Sequence, residues 1–153
     1  MINVEIIRIK KENIEYIDEI DRMFKLFMKE ESIYDNNEKV LEKYGSFAKD
    51  IEKDNVVIFA ACEENSVKGF VYGYIKDSKR MVNKIMHIGY IYVENNSRKR
   101  GIATKLLERI SCYANEKNIH IIEVNVFNDN LEANLLYEKL GFGGFYTSLR
   151  KNI

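Results

Sequence analysis

The spacing of apolar residues changes several times along the first half of the chain. Apolar positions at 4, 6, 7 and 9 predict a short strand. Apolar residues at three- and four-residue steps then predict amphipathic helices over residues 12–31 and 40–51, with Gly45 inside the second. Two apolar runs, over 56–62 and 69–75, follow as strands, and the polar residues 63–66 between them predict a hairpin turn.

The second half alternates strands with helices. A polar loop over 77–83 precedes a strand over 84–93, and the helical period returns over 102–116. A strand over 119–127 leads to a helix over 131–140, which Asn130 caps at its start and Gly141 ends. An extended segment, predicted as a last strand, runs to Ile153.

This order of elements predicts a mixed sheet with helices on its faces, an α+β architecture. A chain of 153 residues forms one domain with a substantial core, so we expect a single domain over residues 1–153. No apolar run approaches the ~20 residues that cross a bilayer, and the first residues lack the pattern of a secretory signal. We therefore expect a cytoplasmic protein without a membrane partner.

Charge is spread unevenly although the formal net charge is zero. Residues 12–54 contain 13 acidic and 7 basic residues, a local charge of −6, whereas residues 55–153 contain 10 and 14, a local charge of +4. This pattern does not predict a nucleic-acid-binding surface. It would suit an anionic cofactor in the C-terminal half and a cationic substrate near the N-terminal half, or it reflects only solvated helix faces.

Cysteine and histidine are too few and too scattered to predict a metal site. The two cysteines, Cys62 and Cys112, lie in unlike contexts, and we expect both to be free and at least partly buried in a reducing compartment. The two histidines are His87 and His120. The sequence therefore predicts no bound metal.

The stretch from Arg98 to Thr104 connects the predicted strand 84–93 to the predicted helix 102–116. A helix N-terminus presents free backbone N–H groups and the positive end of the helix dipole, which favour an anion. Gly101 allows a close backbone approach or a positive φ, and Arg98, Lys99 and Arg100 add positive charge. A diphosphate would suit this turn, although a basic loop before a helix has the same pattern.

The spacing Arg98-x-x-Gly101-x-Ala103 resembles the acyl-CoA-binding motif of the GNAT N-acetyltransferase superfamily, (Arg/Gln)-x-x-Gly-x-(Gly/Ala). A second stretch, from Asn130 through Ala133 and Tyr137 to Gly141-Phe142, is similar to that family's C-terminal motif, Asn-x-x-Ala-x-x-x-Tyr-x-x-x-Gly-Phe. The two motifs stand in the family's order on the expected elements. The resemblance spans nearly the whole chain and implies the GNAT fold, with a mixed, mostly antiparallel sheet.

The resemblance implies roles for particular residues. The backbone of residues 98–104, namely Arg98, Lys99, Arg100, Gly101, Ile102, Ala103 and Thr104, would hold the diphosphate of acetyl-CoA. Ile91, Tyr92 and Val93 would pair with its pantetheine arm, in a gap where strand 84–93 separates from strand 119–127. Asn130 would contact the cosubstrate, and Tyr137 would protonate the leaving thiolate. Tyr137 could also be plain core, and Asn130 a helix cap only.

The general base is left open. Many family members have a glutamate near the position of Gly89, where this chain reads His87-Ile88-Gly89-Tyr90. His87 is the nearest titratable substitute, although a strand histidine with satisfied contacts is the plainer interpretation. Glu30, Glu31 and Asp35 could act through water, or a water chain could serve without a dedicated base. Gly89 itself predicts a β-bulge.

The function expected from the resemblance is N-acetyl transfer from acetyl-CoA to a primary amine, through direct attack and a tetrahedral intermediate. The acceptor would be a small cationic amine or an amine of a peptide or protein, and the acyl group could differ. A GNAT-fold module that binds acyl-CoA without turnover is the alternative, because a fold does not fix a function. A homodimer is compatible with either reading.

Overall fold

The computed structural model of the protein describes residues 3–35, 45–78 and 83–153. These residues build one five-stranded sheet in the order β1-β2-β3-β4-β5. The strands are β1 Glu5–Arg8, β2 Val56–Glu63, β3 Ser66–Asp77, β4 Lys84–Val93 and β5 Ile122–Val124. Neighbours from β1 to β4 are antiparallel, whereas β4 and β5 are parallel. The sheet is therefore mixed and mostly antiparallel, as the family resemblance implied.

Three α-helices are described, together with short 3₁₀ turns. The helices are α1 Ile17–Glu31, α2 Ile102–Glu116 and α3 Leu131–Lys139. The 3₁₀ turns are Lys11–Tyr16, Asp50–Glu52 and Asn95–Ser97. Helix α1 is amphipathic, so it buries one stripe, which includes Ile20, Met23 and Phe24. Helix α2 buries Ile102, Leu106 and Ile110 in the same way.

Each face of the sheet carries its own core. Strand β2 is apolar and buried from Val56 to Cys62 because both of its faces are covered. On one face, Ile58, Ala60 and Phe70 pack with the buried side of α1. On the other, Val57, Phe59 and Met86 pack with α2. Alternate residues of one strand therefore serve two different cores.

The hairpin predicted at 63–66 is confirmed. Glu64 and Asn65 connect β2 to β3, and both have positive φ, at 53° and 62°. Two consecutive residues with positive φ are the geometry of a type I′ turn, whose twist matches that of the adjoining strands. Asparagine tolerates this region better than most residues do.

Strand β4 keeps β3 as a partner along its whole length but loses β5 at its midpoint, and this loss leaves a gap beside its second half. Gly89 is the extra residue of a β-bulge, because Tyr72 pairs with Tyr90 while Gly73 pairs with Ile88. On the other edge of β4, pairing with β5 ends at the pair of Ile88 and Val124. The bulge predicted at Gly89 is thus confirmed, and beyond it β4 separates from β5.

The predicted helix over 40–51 is wrong in the part that the structure describes. Residues 36–44, which include the beginning of that predicted helix, lie outside the described residues. Gly45 has a φ of 74°, in the left-handed region, which an α-helix cannot contain. Residues 47–49 form a turn, and Asp50–Glu52 form a 3₁₀ turn. Residues 79–82 of the predicted loop also lie outside the described residues.

Two elements near the C-terminus are shorter than predicted. The strand expected over 119–127 is confined to Ile122–Val124, because pairing with β4 ends there. The extended segment over 142–153 has no strand, and its side chains lie largely in solvent, with Leu149 92% exposed. Gly143 and Gly144 have no side chain to bury against the core, which weakens this segment as a strand.

The sequence predicts that both cysteines are free and at least partly buried. Cys62 is buried and Cys112 is exposed, and both are free. The expectation of partial burial is therefore wrong for Cys112, which lies on the solvent side of α2. Among the described residues, no helix is both long and apolar enough to cross a bilayer.

Candidate active site

The turn before α2 has a backbone conformation that only a few residues adopt easily. Lys99 and Gly101 have positive φ values of 63° and 78°, and Gly101 is the N-cap residue of α2. Its carbonyl oxygen accepts from the Lys105 amide at 3.1 Å, but it has no side chain to cap the first N–H groups of the helix. The amides of residues 102–104, in the first turn of α2, therefore have no side-chain cap, and their role as donors to an anion stays a prediction.

The arginine side chains of this turn already have carboxylate partners. Arg98 Nη2 donates to both oxygens of Glu30, the shorter bond being 2.8 Å, and Arg98 Nε donates to the Val93 carbonyl at 2.8 Å. One arginine thus connects the end of α1 to the end of β4. A single nitrogen contacts both oxygens, so this is not the two-nitrogen fork, and the half-exposed Glu30 makes it an ordinary surface ion pair.

Arg100 makes a second such pair, on the far side of the turn. Its two terminal nitrogens donate to Glu63 at 3.2 and 2.6 Å, and this bond from Arg100 lowers the pKa of Glu63. Lys99 is exposed. The three positive charges expected at the turn are therefore unequal, because the structure gives Arg98 and Arg100 to carboxylates. Among the groups predicted to bind an anion, the backbone amides are therefore less engaged than the two arginines.

Ile91, Tyr92 and Val93 lie in the part of β4 that pairs with β3 on one edge only. Their partners there are Val71, Phe70 and Gly69, and within the described residues no strand pairs with the other edge beyond Ile88. An exposed strand edge offers N–H and C=O groups to an extended ligand. The gap predicted between these strands is present.

Tyr137 lies in α3 and is 8% exposed. Its ring packs edge-to-face on Phe142 with centroids 5.4 Å apart, and it belongs to the α2-side core together with Val93 and Ile102. Burial, and then the negative charge of Glu31, raises the pKa of Tyr137 to about 12. The phenol is therefore neutral at physiological pH, as a hydrogen-bond donor must be.

Asn130 caps α3, because its Oδ1 accepts from the Ala133 amide at 3.2 Å. The capping role considered for it is therefore present. Asn134, which lies within the second motif but was not singled out, donates from Nδ2 to the carbonyls of Phe127 and Asn130 at 3.0 and 2.8 Å. These bonds hold the loop between β5 and α3 against the helix, and the motif spacing gives no signal for Asn134, because its position there is unspecified.

Glu31, at the end of α1, is a buried carboxylate without a complete set of partners. Its Oε2 is buried and makes no hydrogen bond in the part of the chain that the structure describes. Burial, and then the charge of Glu30, raises the pKa of Glu31. The charge of Glu31 in turn raises the pKa of Tyr137, so the two groups lie close enough to interact. The other two acids named from the sequence are paired, Glu30 with Arg98 and Asp35 with Arg150.

His87 points to the opposite face of the sheet from Met86 and Ile88, and it is 8% exposed. Its ring lies 5.1 Å from that of Tyr74. Its Nδ1 is buried and has no hydrogen-bond partner among the described residues. Burial, and then the positive charge of Lys76, lowers the pKa of His87, while Glu123 opposes this shift. The imidazole is therefore neutral near pH 7.

The structure explains why a glutamate would not fit at Gly89. A Cβ atom there would lie 2.9 Å from Cδ1 and 3.3 Å from Cε1 of the Tyr72 ring. Real Cβ atoms do not approach that closely, so any side chain at this position would have to displace the ring. Tyr72 therefore occupies the space that a strand glutamate would need.

Comparison with known proteins adds to this geometry. An N-alpha-acetyltransferase of Saccharolobus solfataricus is 33% identical over 107 residues, which are 65% of this chain and 64% of that protein's length. This chain thus spans less than two thirds of the curated relative. An aminoglycoside acetyltransferase from an uncultured soil metagenomic sample has a TM-score of 0.76 at 18% identity, covering 99% of both chains.

A further solved structure, a predicted acetyltransferase with acetyl-CoA from Clostridium acetobutylicum, has a TM-score of 0.75 at 24% identity and covers 97% of this chain and 96% of its own. At these identities the structural likeness establishes the fold. The model of the acetyltransferase (GNAT) family matches residues 20–142, most of the sequence. The chain therefore belongs to the GNAT acetyltransferase family.

Proposed function

We propose that this protein transfers the acetyl group of acetyl-CoA to a primary amine. The observation that carries the proposal is the arrangement around one gap, where the uncapped N-terminus of α2 and the open edge of β4 meet in the core that contains Tyr137. A relative of the same fold holds acetyl-CoA, which supports this choice of cosubstrate.

The residues fit the cosubstrate in two places. The amides of residues 102–104 and the turn before them would receive the diphosphate, because Gly101 leaves these donors uncapped. The backbone of Ile91, Tyr92 and Val93 would receive the pantetheine arm, and an amide N–H there would stabilise the oxyanion. Asn130 keeps its side-chain N–H groups for the cosubstrate while its oxygen caps α3.

Tyr137 is the proposed donor to the leaving sulfur. Its pKa of about 12 exceeds that of a thiol, ~8.5, so complete proton transfer to a thiolate would be unfavourable by about 5 kcal/mol. A hydrogen bond carries no such cost and strengthens as the sulfur becomes negative. The proposed role is therefore a hydrogen bond to the sulfur that strengthens as negative charge develops there, without complete proton transfer. The released thiolate would take its proton from solvent.

Two buried groups are candidates for the proton acceptor, since an alkyl ammonium must lose a proton before it attacks. Glu31 interacts electrostatically with Tyr137 and has a raised pKa, which makes it a better base than an exposed carboxylate. His87, predicted from the sequence, is neutral and has an unpartnered Nδ1. We propose Glu31 as the base, and the catalytic role of His87 stays a prediction.

The acceptor class proposed here is a primary amine of a small molecule or of a peptide. The names of the relatives support amines of both kinds, an N-alpha-acetyltransferase for peptides and an aminoglycoside acetyltransferase for small molecules. A cytoplasmic location is part of the proposal, supported by two free cysteines.

The test is a panel of amines incubated with the protein and acetyl-CoA. Released thiol is measured with a chromogenic reagent, and acetylated products are identified by mass spectrometry. We expect at least one amine to gain 42 Da, about the mass of an acetyl group less one hydrogen, at a rate that depends on the protein. A protein that is stabilised by acetyl-CoA in a melting assay but acetylates no amine would instead be a binding module.

A further inference from the structure

An open cavity of about 380 Å³ lies on the α1 side of the sheet, next to the bulge of β4. Strand β3 contributes Tyr72 and Tyr74, and the 3₁₀ turn after α1 contributes Asp50 with the adjoining Lys53. The remaining wall comes from β4 and consists of His87, Gly89 and Tyr90.

Aromatic rings form most of this cavity's surface. Tyr72 lies between Tyr90 and Tyr74, with ring centroids 5.5 Å and 6.3 Å away. The faces of tyrosine rings carry negative potential and attract ammonium groups within about 6 Å. Burial and the nearby charge of Asp50 raise the pKa of Tyr72 to about 12, so the ring remains a neutral phenol.

Asp50 adds the negative charge. Its side chain is 13% exposed and its carboxylate lies 2.7 Å from Lys53 Nζ, while the Lys53 side chain is 58% exposed. The carboxylate acts on the cavity as well, because it raises the pKa of both Tyr72 and Tyr90. An exposed lysine can turn into solvent at small cost, so a cation in the cavity could replace it.

His87 supplies a hydrogen-bond acceptor to the same space. Its Nδ1 is buried without a partner in the described part of the chain, and its ring is neutral near pH 7. With its proton on Nε2, the neutral ring presents Nδ1 as an acceptor, and a buried acceptor normally has a donor. An ammonium group has three donors and no acceptor, and it therefore suits His87, Asp50 and the ring faces together. An anion would instead be repelled by the Asp50 carboxylate and by the negative faces of the tyrosine rings.

Gly89 connects this cavity to the reaction proposed above. It lines the cavity and also begins the part of β4 that β5 leaves unpaired. We propose that the cavity binds a second, non-reacting ammonium group of the acceptor, so that the preferred substrates are aliphatic diamines or polyamines. This inference rests on the proposed acetyl transfer and adds the substrate class.

The test compares α,ω-diamines of three to six carbons with n-alkylamines of the same lengths. We expect the value of kcat/KM for the best diamine to exceed that of its matched monoamine by at least about tenfold. Asp50→Asn and Tyr72→Leu should each reduce this ratio severalfold, and Tyr72→Phe, which keeps the ring face, should retain most of it. Equal turnover of diamines and monoamines would overturn the proposal.

Glu52→Gln is the matched control. It also removes one negative charge from the same turn, but Glu52 pairs with Lys11 instead of lining the cavity. The ratio should not change in this variant. If Asp50→Asn and Glu52→Gln lower the ratio equally, the preference comes from general surface charge and the cavity is not the site.

A direct binding measurement tests the cavity independently of acetyl transfer. 1,5-Diaminopentane is titrated calorimetrically into wild-type protein saturated with CoA, and into Asp50→Asn under the same conditions. We expect binding that is at least about fivefold weaker in the variant, even if no amine is acetylated. Retained stabilisation by acetyl-CoA without any diamine binding would refute the cavity assignment and leave the cosubstrate site intact.

Discussion

The two faces of the sheet differ in what they place beside the central gap. The α2 face is largely aliphatic, with Leu106, Leu107 and Ile110 packed on Val57 and Met86. The α1 face is aromatic, with ring contacts that include a 4.7 Å edge-to-face pair of Phe24 and Tyr90. Its aromatic members are Tyr16, Phe24, Phe27, Phe47, Phe70, Tyr72, Tyr74, Tyr90 and Tyr92.

This difference separates two kinds of recognition. On the α2 face, the proposed cosubstrate site consists of backbone amides at a helix end, which need a glycine and a well-packed helix but few specific side chains. On the α1 face, the proposed acceptor site consists of side chains that surround a cavity. Substitutions on one face should therefore change cosubstrate binding, and substitutions on the other should change the choice of acceptor.

Gly101→Glu should have the largest effect of all the substitutions, the loss of acetyl-CoA binding on the α2 face. The new side chain places negative charge where phosphate should bind, on a residue whose φ of 78° strains any side chain. We expect acetyl-CoA affinity to fall by more than about 100-fold, measured as the loss of the acetyl-CoA-induced melting shift. Gly143→Glu, at an open position with nothing within 4 Å of a new Cβ, is the control and should keep the full shift. Equal shifts in both variants would place the phosphates elsewhere.

Tyr137→Phe should affect the chemical step. The variant keeps the ring on Phe142 but removes the proposed donor to sulfur. A hydrogen bond to a charged group is typically worth about 1.5–3 kcal/mol, so kcat should fall about 10- to 100-fold with acetyl-CoA affinity nearly unchanged. Tyr113→Phe, which removes another tyrosine hydroxyl from the α2-side core, should leave kcat near the wild-type value. A wild-type kcat in Tyr137→Phe across the pH range would remove this residue from the mechanism.

Glu31→Gln should lower turnover and raise thermal stability at pH 7. Because the folded pKa of Glu31 is raised above 4.5, its protonated form stabilises the fold below that pH, and this contribution is lost as pH rises through the folded pKa. The neutral glutamine should therefore raise the melting temperature at pH 7, and the gain should shrink towards pH 4. We expect turnover at pH 7 to fall about tenfold or more if Glu31 is the base.

The matched variant for this experiment is His87→Gln, since Glu31 and His87 are the two described residues with a buried side-chain atom that has no hydrogen-bond partner. Burial lowers the pKa of His87 in the folded state, so the unfolded state takes up a proton first as the pH falls. The folded state therefore loses stability below about pH 6.5. His87→Gln should therefore lessen the loss of stability in acid. If His87→Gln alone removes the low-pH limb of the kcat profile, His87 is the base and Glu31 is not.

Two glycine substitutions should have the smallest effects. They compare how tightly the two faces of the sheet are packed. A Cβ at Gly73 would lie 2.5 Å from Ile110 Cδ1 in the aliphatic core, and a Cβ at Gly89 would lie 2.9 Å from the Tyr72 ring, which borders open space. Overpacking typically costs about 1–3 kcal/mol. We expect Gly73→Ala to reach that range in urea denaturation and Gly89→Ala to cost less but to alter acceptor KM. The reverse order would show that the aromatic face is the more rigid.

The sequence was most informative where one local signal determines one local structure. Strand β4, the turn at Gly101 and helix α2 all follow from hydrophobic period and a glycine with positive φ. The helix predicted over 40–51 failed in its described part, because the apolar spacing continued through Gly45 while the backbone left the helical region. Hydrophobic spacing alone does not detect such a break.

The side-chain partners of the site could not be predicted from local pattern. Arg98 meets Glu30, which lies 68 positions away, and Arg100 meets Glu63. Burial of Glu31 and His87 depends on the packing of separate elements, and no spacing rule reveals it. The sequence therefore predicted the backbone conformation of the candidate site and named the acidic candidates, but it could not choose among them.

The contact between Arg98 and Glu30 also couples anion binding near Arg98 to the protonation of Glu31. Glu30 raises the proton affinity of its neighbour Glu31, and Arg98 partly neutralises Glu30. An anion that draws Arg98 away from Glu30 would therefore increase the proton affinity of Glu31. Thermodynamic reciprocity then requires that protonation tighten anion binding by the same factor. Cosubstrate binding near this arginine would take up protons, and its calorimetric heat would vary with the ionisation enthalpy of the buffer.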